Sequence, residues 1–129
     1  DLIKVSDDDL RGLFPGIDVD EAQRQLRAMA PHALCLLTRA GEGASLFRGE
    51  ERCTARAPKV EVVDTVGAGD ASAAGLLHSL SCHAGRPLQA HLHAALAAGS
   101  AACLQSGATP PSLDAMNRLF EQLEAGLAA

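Results

Sequence analysis

The sequence predicts an α/β domain, and three observations indicate this class. The continuous apolar run from His32 to Thr38 is typical of a strand that is covered on both faces. A short β-branched run at Val60–Val63, a turn with two glycines and a stretch rich in alanine and leucine follow one another, which predicts strand, turn and helix. Capped helical segments lie around these runs. With 47% hydrophobic residues among 129, the chain can form one domain with a modest core.

The first third of the chain predicts one strand and two helices. Residues 1–5 form the strand, and Ser6 with the acidic residues after it begins a short helix that a Pro-Gly pair ends. Asp18 or Asp20 caps a second helix, which runs to about Met29. The residues expected to face inward on this second helix are Ala22, Leu26 and Met29.

The middle of the chain predicts a turn, a hairpin and the central helix. Residues 38–43 turn the chain, and residues 44–47 and 53–57 form two short strands around a glycine. After the turn with two glycines, a helix continues from Gly69 to about His83.

The last third of the chain predicts two more helices. The first, from Leu88 to about Leu104, is almost all alanine, leucine and histidine, and its small residues predict close packing against a neighbour or a flat ligand. A double proline precedes the second, which runs from Ser112 to about Leu127. The apolar stripe of this last helix, expected to face the core, contains Leu113, Met116, Leu119, Phe120 and Leu123.

Charge and composition argue against several function classes. The formal net charge is −5 and the basic residues are scattered singly, with no Tyr or Trp, so a nucleic-acid partner is not expected. The apolar runs are short and broken by charge, so membrane insertion is not expected either. The widely spaced cysteines predict reduced thiols of a cytoplasmic protein. They are Cys35, Cys53, Cys82 and Cys103.

A metal site on the central helix is an open alternative. His78, Cys82 and His83 fall near one helical face, and His91 and His93 follow them in the sequence. Zinc ligands usually come in tighter, paired spacings, and an ordinary helix accounts for these residues as well.

The turn at residues 64–70, which reads Asp-Thr-Val-Gly-Ala-Gly-Asp, carries the clearest chemistry. The first N–H groups of the helix after it have no internal partner and lie at the positive end of the helix dipole, so they suit a phosphate or a developing oxyanion. Gly67 and Gly69 let the backbone come close to such a group. Asp70 has two interpretations: it caps the helix, or it accepts the proton of a hydroxyl that attacks the phosphate.

This turn, followed by Ala74 and Gly75, closely resembles the C-terminal signature of the ribokinase/PfkB family of sugar and nucleoside kinases. In that family the last aspartate is the general base, and the Gly-Ala-Gly amides form an anion hole. The resemblance therefore implies that Asp70 is the base. The anion hole that it implies consists of Gly67, Ala68 and Gly69. Ser72 departs from the family, which usually has phenylalanine there.

Two further stretches resemble the family's nucleotide and magnesium motifs. Residues 4–10 resemble the Asn-x-x-Glu region in its fructokinase-like form, with Ser6 at the asparagine and Asp9 at the glutamate that orders Mg²⁺ through water. A simple capping turn is the alternative for Asp9. Residues 38–43 resemble the Thr-x-Gly-x-x-Gly nucleotide loop. The implied nucleotide-binding positions there are Thr38, Ala40, Gly41 and Gly43, with Ala40 in place of the first glycine and Gly41 one residue late.

The helix at residues 88–104 and the loop after it flank the adenine in the family, and carbonyls there hold a monovalent cation. Alignment on Gly107 places Leu96 where an asparagine or histidine often contacts the base. The implied cation site consists of Asp64, Val66, Ala102, Gln105 and Gly107.

The resemblance implies a partial ribokinase-like three-layer α/β/α domain. Residues 1–129 would be its C-terminal nucleotide-binding and catalytic part, without the N-terminal sugar-binding part and the lid, so the isolated fragment is expected to be inactive. The implied activity is an ATP-dependent sugar kinase, with fructokinase-like favoured, using ATP, Mg²⁺ and, as a further candidate, K⁺. A nucleoside acceptor and a non-catalytic nucleotide-binding fragment are the alternatives. A sheet without its N-terminal strands would also expose an edge for a second copy of the chain.

Overall fold

A computed structural model describes residues 1–128, with the backbone alone for residues 127 and 128. Within this range the chain forms four strands, five α-helices and a short 3-10 turn. The strands are β1 Leu2–Ser6, β2 Leu34–Thr38, β3 Ala44–Arg48 and β4 Glu51–Ala55. The helices are α1 Asp7–Leu13, α2 Val19–Met29, α3 Ala68–Cys82, α4 Leu88–Ala102 and α5 Leu113–Ala128, and the 3-10 turn is Ala40–Glu42.

The strands form one mixed sheet in the order β1-β2-β3-β4. β1 and β2 are parallel and in register up to Ser6 opposite Thr38, so their carboxyl ends meet at the same edge of the sheet. β3 pairs antiparallel with β2 and with β4, and Gly49 closes the β3–β4 hairpin with a φ of +59°. β1 has one neighbouring strand within the described residues, so it is an open edge. Pairing of a second copy with this edge stays a prediction.

Helices cover both faces of the sheet. On one face Leu37 of β2 packs with Leu10 of α1 and Ala22 of α2. On the other face Leu36 packs with Leu92 of α4, and α5 packs on the outer side of α4. Because neighbouring residues of a strand point to opposite faces, this arrangement buries the apolar run of β2 from both sides. The three-layer α/β/α architecture is therefore confirmed.

Small residues let α3 and α4 approach each other closely. A Cβ atom on Gly75 would lie 2.6 Å from the Cβ of Ala98 and 2.8 Å from the carbonyl oxygen of Ala94. A Cβ atom on Gly99 would lie 2.2 Å from Oγ of Ser72. The space at Gly75 admits no methyl group unless the helices move, and the space at Gly99 admits none unless the Ser72 hydroxyl moves, so the alanine-rich composition of α4 serves close packing, as predicted.

The predicted strand at Val60–Val63 is wrong. Residues 56–67 contain neither helix nor strand, and the side chains of Val62 and Val63 are 56% and 61% exposed. The N–H of Val63 donates to the carbonyl of Cys103 at 2.8 Å, so this segment is fixed to the C-terminus of α4. β-branched residues favour a strand only where a neighbouring strand supplies the hydrogen bonds, and none does so here.

Two residues predicted to face inward point outward instead. Met29 is 74% exposed and Leu113 is 66% exposed. Met29 is the last residue of α2 and Leu113 is the first of α5. Helical spacing predicts which face a residue shares with its neighbours, but these two helix ends extend past the elements that cover that face. Leu119, in the middle of the α5 stripe, is buried as expected.

The histidines of α4 belong to polar networks that tie the helices together. Nδ1 of the buried His91 lies 2.8 Å from Oγ of Ser79, to which Arg86 donates at 3.0 Å, and burial lowers the pKa of His91. Nδ1 of His93 lies 2.7 Å from a carboxylate oxygen of Glu124. Among residues 1–128 no three His, Cys, Asp or Glu side chains lie close enough together to hold a metal ion. The zinc alternative therefore gains no support from the fold.

Candidate active site

The turn at residues 64–70 leads directly into α3. Gly67 is the N-cap residue and has a φ of +82°, a left-handed conformation that glycine adopts without strain. The helix therefore starts at Ala68, and Asp70 occupies its third position. The interpretation of Asp70 as the helix cap is wrong, because the left-handed glycine begins the helix three residues earlier.

The turn leaves backbone amides unused at the start of α3. The N–H of Ala68 donates to the carbonyl of Thr65 at 3.2 Å. Within residues 1–128 the N–H groups of Gly67 and Gly69 donate no hydrogen bond. Two of the three predicted anion-binding amides are thus free at the positive end of a helix dipole, and the third is partly engaged.

Asp64 holds the beginning of this turn in place. One of its carboxylate oxygens accepts the N–H of Val66 at 3.0 Å, and the other accepts the N–H of Gly107 at 2.9 Å. These hydrogen bonds, with that from Gly107 contributing most, lower the pKa of Asp64. The carboxylate therefore connects the turn before α3 to the loop after α4.

A cleft of about 690 Å³ opens where the carboxyl ends of β1 and β2 meet the N-terminus of α3. Ala68 and Gly69 line it, whereas Gly67 and Asp70 do not. Every residue predicted to bind nucleotide also lines it, namely Ser6, Thr38, Ala40, Gly41, Gly43 and Leu96. The fold thus brings together four segments that are far apart in the sequence. Their roles toward a ligand stay predictions.

One wall of the cleft is apolar. It is formed by the connection after β4 together with α4 and the residue that ends it. Its members are Ala57, Pro58, Val60, Val62, Leu96 and Cys103. Such a wall suits a flat ring. Apart from Leu96, no motif in the sequence predicts that these residues line a ligand site. The segment after β4 reaches the cleft through its hydrogen bonds to Cys103 at the end of α4.

Backbone geometry in the loop at residues 38–43 explains its small residues. Gly43 has a φ of +112°, and a Cβ atom there would lie 2.1 Å from the carbonyl oxygen of Ala55. The carbonyl of Gly43 accepts the N–H of Arg39 at 2.8 Å. Ala40 has a φ of +48° and is the one non-glycine with a positive φ among the described residues. The position where the resembling loop has a glycine therefore keeps the left-handed backbone of a glycine.

Asp9 takes part in the cap of its own helix. It does not line the cleft, and its carboxylate accepts the N–H of Ser6 at 2.9 Å while its own N–H donates to Oγ of Ser6 at 3.0 Å. This reciprocal pair is a capping box, and the hydrogen bonds from Ser6 lower the pKa of Asp9. The carboxylates that do line the cleft belong to Asp7 and Asp8. The capping interpretation of Asp9 is therefore confirmed, and its role toward Mg²⁺ through water stays a prediction.

Lys4 lines the cleft, a position that no motif in the sequence predicts. Its side chain is half-buried, and Nζ lies 2.7 Å from the point that a Cβ atom on Gly69 would occupy. The sequence holds one local hint, a lysine two residues before the end of an edge strand. The approach to Gly69 joins residues 65 positions apart (69 − 4), so no local pattern could predict it.

The residues predicted to hold a monovalent cation cluster around the loop after α4. Asp64 bonds directly to the N–H of Gly107, and Ala102 is buried at the end of the helix. Oε1 of Gln105 is buried without a hydrogen-bond donor among residues 1–128. An unpaired buried oxygen suits a hard cation, and the Asp64 carboxylate reaches the same loop through Gly107, so the residues present suit the predicted ion.

The fold is that of the ribokinase-like kinases. Residues 1–116 match the pfkB family of carbohydrate kinases, and the chain belongs to this family. The fructokinase of Rhizobium leguminosarum bv. trifolii is 38% identical over 86 residues, which cover 62% of this chain and 24% of the relative.

Two solved structures show the similarity of fold. Aminoimidazole riboside kinase from Salmonella enterica, crystallised with aminoimidazole riboside and an ATP analog, is 34% identical with a TM-score of 0.79, over 92% of this chain and 41% of the other. Phosphofructokinase-2 from Escherichia coli in complex with potassium is 25% identical with a TM-score of 0.82, over 96% of this chain and 41% of the other. The chain thus spans 24% to 41% of the length of these three relatives. No helix within residues 1–128 has the length and apolar character needed to cross a membrane.

Proposed function

We propose that the chain carries the ATP-binding and catalytic part of a carbohydrate kinase and forms the C-terminal portion of the whole protein. The observation that carries this proposal is the cleft, which gathers the nucleotide-loop residues and the open N-terminus of α3. The reaction is transfer of the terminal phosphoryl group of ATP to a sugar hydroxyl. Membership of the pfkB family and the kinase activities named for the relatives support it.

In this proposal Asp70 accepts the proton of the acceptor hydroxyl. Its carboxylate is exposed, follows Gly69 directly, and takes part in no hydrogen bond or salt bridge among the described residues. A general base needs a carboxylate that is free to receive a proton, and Asp70 meets this requirement. The free amides of Gly67 and Gly69 bind the negative charge that develops on the transferred group.

Two cations belong to the same proposal. Mg²⁺ neutralises phosphate charge when bound, and Asp7 and Asp8, which line the cleft, are the residues that would hold it, directly or through water. K⁺ would be held by the loop after α4, where the unpaired oxygen of Gln105 and the carboxylate of Asp64 lie. The potassium complex of the Escherichia coli relative supports this second site.

The acceptor is proposed from the relatives and from the N-terminal motif. A fructose-like sugar is favoured, because residues 4–10 resemble the fructokinase-like form of the motif and one relative is a fructokinase. A nucleoside is the second candidate, because the Salmonella enterica relative is an aminoimidazole riboside kinase. We place the protein in the cytoplasm, where its four free cysteines would stay reduced.

Asp70→Asn in the whole protein tests the catalytic assignment. We expect kcat to fall about 10²- to 10⁴-fold while ADP affinity stays unchanged, because the substitution removes the base and keeps the shape of the turn. The assay measures ATP-dependent phosphorylation of fructose, aminoimidazole riboside and adenosine in parallel.

The matched control for this experiment is Asp114→Asn. Asp114 is also an exposed aspartate in the first turn of a helix, but it lies on α5 away from the cleft, so turnover should equal that of the wild type. Full turnover by the Asp70 variant would contradict the assignment. Nucleotide binding by the wild type without turnover on any acceptor would favour the non-catalytic alternative.

A further inference from the structure

We propose that His93 and Glu124 are positioning residues of this site: their hydrogen bond holds α5 behind the apolar wall of the cleft and thereby sets the affinity for nucleotide. The proposal rests on the proposed kinase function. It concerns a part of the chain that the family match does not include, since the match ends at residue 116 and α5 is Leu113–Ala128.

α5 takes part in the packing behind the apolar wall. Leu119 of α5 belongs to the same buried cluster as Ala101 of α4, and Val60 of the wall packs against this cluster. Leu123 packs against it as well, and also against the neighbouring cluster that contains Leu96, a second residue of the wall. The position of α5 on α4 therefore affects both clusters that place the wall.

Apolar packing alone does not fix the position of α5. Among the described elements, α4 is the one with which α5 makes extended contact. The hydrophobic effect is not directional, so a contact between two apolar stripes tolerates sliding and rotation of one helix on the other. The directional contacts of α5 are the Arg86 guanidinium, 4.6 Å from the centre of the Phe120 ring, and the hydrogen bond between His93 and Glu124.

Both ring nitrogens of His93 have a partner, and the residue is only 2% exposed. Nε2 lies 3.2 Å from the amide nitrogen of Gln89, which lies 3.5 Å from the carbonyl oxygen of Thr54 in β4. Because an amide nitrogen only donates, Nε2 of His93 accepts and the ring proton is on Nδ1. Nδ1 therefore donates to the carboxylate of Glu124 at 2.7 Å.

These hydrogen bonds connect the sheet to α5 through α4. Glu124 follows Leu123 directly, so the bond fixes the turn of α5 that packs against both clusters behind the wall. Without the carboxylate, the buried N–H of His93 would lose this acceptor. A buried donor without a partner is costly, so we expect α5 to shift until water or another acceptor reaches it, and the wall to shift with it.

The pair is expected to act on binding and not on the chemical step. Neither His93 nor Glu124 lines the cleft, so neither contacts a ligand there. The wall holds the same part of the nucleotide before and during phosphoryl transfer. A change in the wall therefore weakens the ground state and the transition state equally, which raises KM and leaves kcat unchanged.

Glu124→Ala in the whole protein tests the proposal by steady-state kinetics with the best of three acceptors, fructose, aminoimidazole riboside and adenosine. We expect KM for ATP to rise about 3- to 10-fold, the range of one hydrogen bond, while kcat and KM for the acceptor change by less than about 2-fold. The dissociation constant of ADP, measured by calorimetric titration, should rise by the same factor. Glu124→Gln keeps an oxygen that accepts from Nδ1 and should restore KM to within about 2-fold of the wild type.

Two control variants separate this role from loss of charge and from loss of stability. Glu121→Ala removes the same charge from an exposed position one turn earlier on α5, so KM for ATP should change by less than about 2-fold. Leu26→Ala weakens the packing of α2 on the opposite face of the sheet. It should lower the melting temperature and leave KM for ATP unchanged.

A double variant tests the contact between the two residues directly. His93→Leu removes the donor, and Glu124→Ala removes the acceptor of the same hydrogen bond. Their effects on KM for ATP should therefore overlap in the double variant and not multiply. Effects that multiply fully would show that the residues act separately and would contradict the proposal.

The outcomes separate this proposal from the kinase function on which it rests. Normal KM in Glu124→Ala, or an equal rise in either control variant, would overturn the role of the pair and leave the kinase function standing. A fall in kcat with unchanged KM would also overturn it. Nucleotide binding without turnover on any acceptor would overturn the kinase function alone, and the ADP titrations would then decide the role of the pair. Failure of the wild type to bind ADP would overturn both.

Discussion

Two helices, α1 and α3, begin beside the same cleft, and their N-termini are capped in opposite ways. α1 is closed by its own side chains, because Ser6 and Asp9 satisfy each other's backbone N–H groups. α3 begins at Gly67, which has no capping side chain, and it leaves amides free next to Lys4. A helix N-terminus can bind an anion only where the sequence leaves its amides unpaired. The dipole is common to both helices, so the difference lies in the cap.

The largest expected effect comes from placing a carboxylate at the uncapped N-terminus of α3. Gly69→Asp puts a negative group beside the free amides and Lys4, where the phosphate of a nucleotide is expected. We expect Mg-ADP affinity to fall about 100-fold or more, because like charges in such a site cost several kcal/mol. Thermal stability should not fall, because an aspartate suits the first turn of a helix. Calorimetric titration with and without potassium, beside a thermal melt, measures both effects.

The matched control for that variant is Ala74→Asp. Ala74 is exposed on the same helix, one turn further on and outside the cleft, so the same added charge should change Mg-ADP affinity by less than about 3-fold. Wild-type affinity in the Gly69 variant would contradict the assignment of the α3 N-terminus as the phosphate site.

Two glycine-to-alanine variants, one at the start of α3 and one inside α1, compare the backbone requirements of the two helices. Gly67→Ala forces a side chain into a left-handed conformation and should destabilise the fold by about 1–2 kcal/mol. Gly12→Ala, inside α1 with no atom within 4 Å of the new Cβ, should stabilise it by up to about 1 kcal/mol. Urea unfolding of both variants measures the free energy of unfolding. Equal effects would show that the open cap needs no glycine.

The smallest expected effect is at the closed terminus. Ser6→Ala removes one half of the capping box and should cost about 1 kcal/mol of stability. The pKa of Asp9 is lowered in the fold, so the stabilisation from its charge is present above the pKa of the unfolded state and is lost as the pH falls through the lower folded value. Because Ser6→Ala keeps the backbone N–H that donates to Asp9, the charge is tested with Asp9→Ala, and urea unfolding from pH 7 downwards should show the gap between wild type and this variant narrowing below about pH 4. A gap for Asp9→Ala that stays constant with pH would show that the charge of Asp9 takes no part in the cap.

The helices and most strands were predictable because their signals are local. Asp18 caps α2 as one of the two predicted positions, and the apolar run before Thr38 forms β2. The β-branched run at Val60–Val63 predicts a strand wrongly, because a strand also needs a neighbouring strand. In the fold this segment donates hydrogen bonds to the end of α4 instead. Local sequence thus carries the shape of a segment but not the identity of its neighbour.

The candidate site also contains residues that a local motif predicts and residues that only the fold brings there. The nucleotide-loop residues and the glycine turn could be placed from motif resemblance, and the fold brings them to one cleft. Asp9 was assigned by its motif position, yet its carboxylate is used by the cap of its own helix. Lys4 could not be found, because its approach to Gly69 depends on how β1 and α3 are placed by the rest of the fold.

Ser72 and Gly99 share one small volume between α3 and α4, where a Cβ atom on Gly99 would lie 2.2 Å from the Ser72 hydroxyl. The next nearest atoms to that Cβ are 3.2 Å and 3.5 Å away, so the hydroxyl is the main obstacle. An alanine at position 99 is therefore expected to cost less stability once position 72 has lost its hydroxyl. The two positions are coupled, and the order in which they change alters the cost of each step.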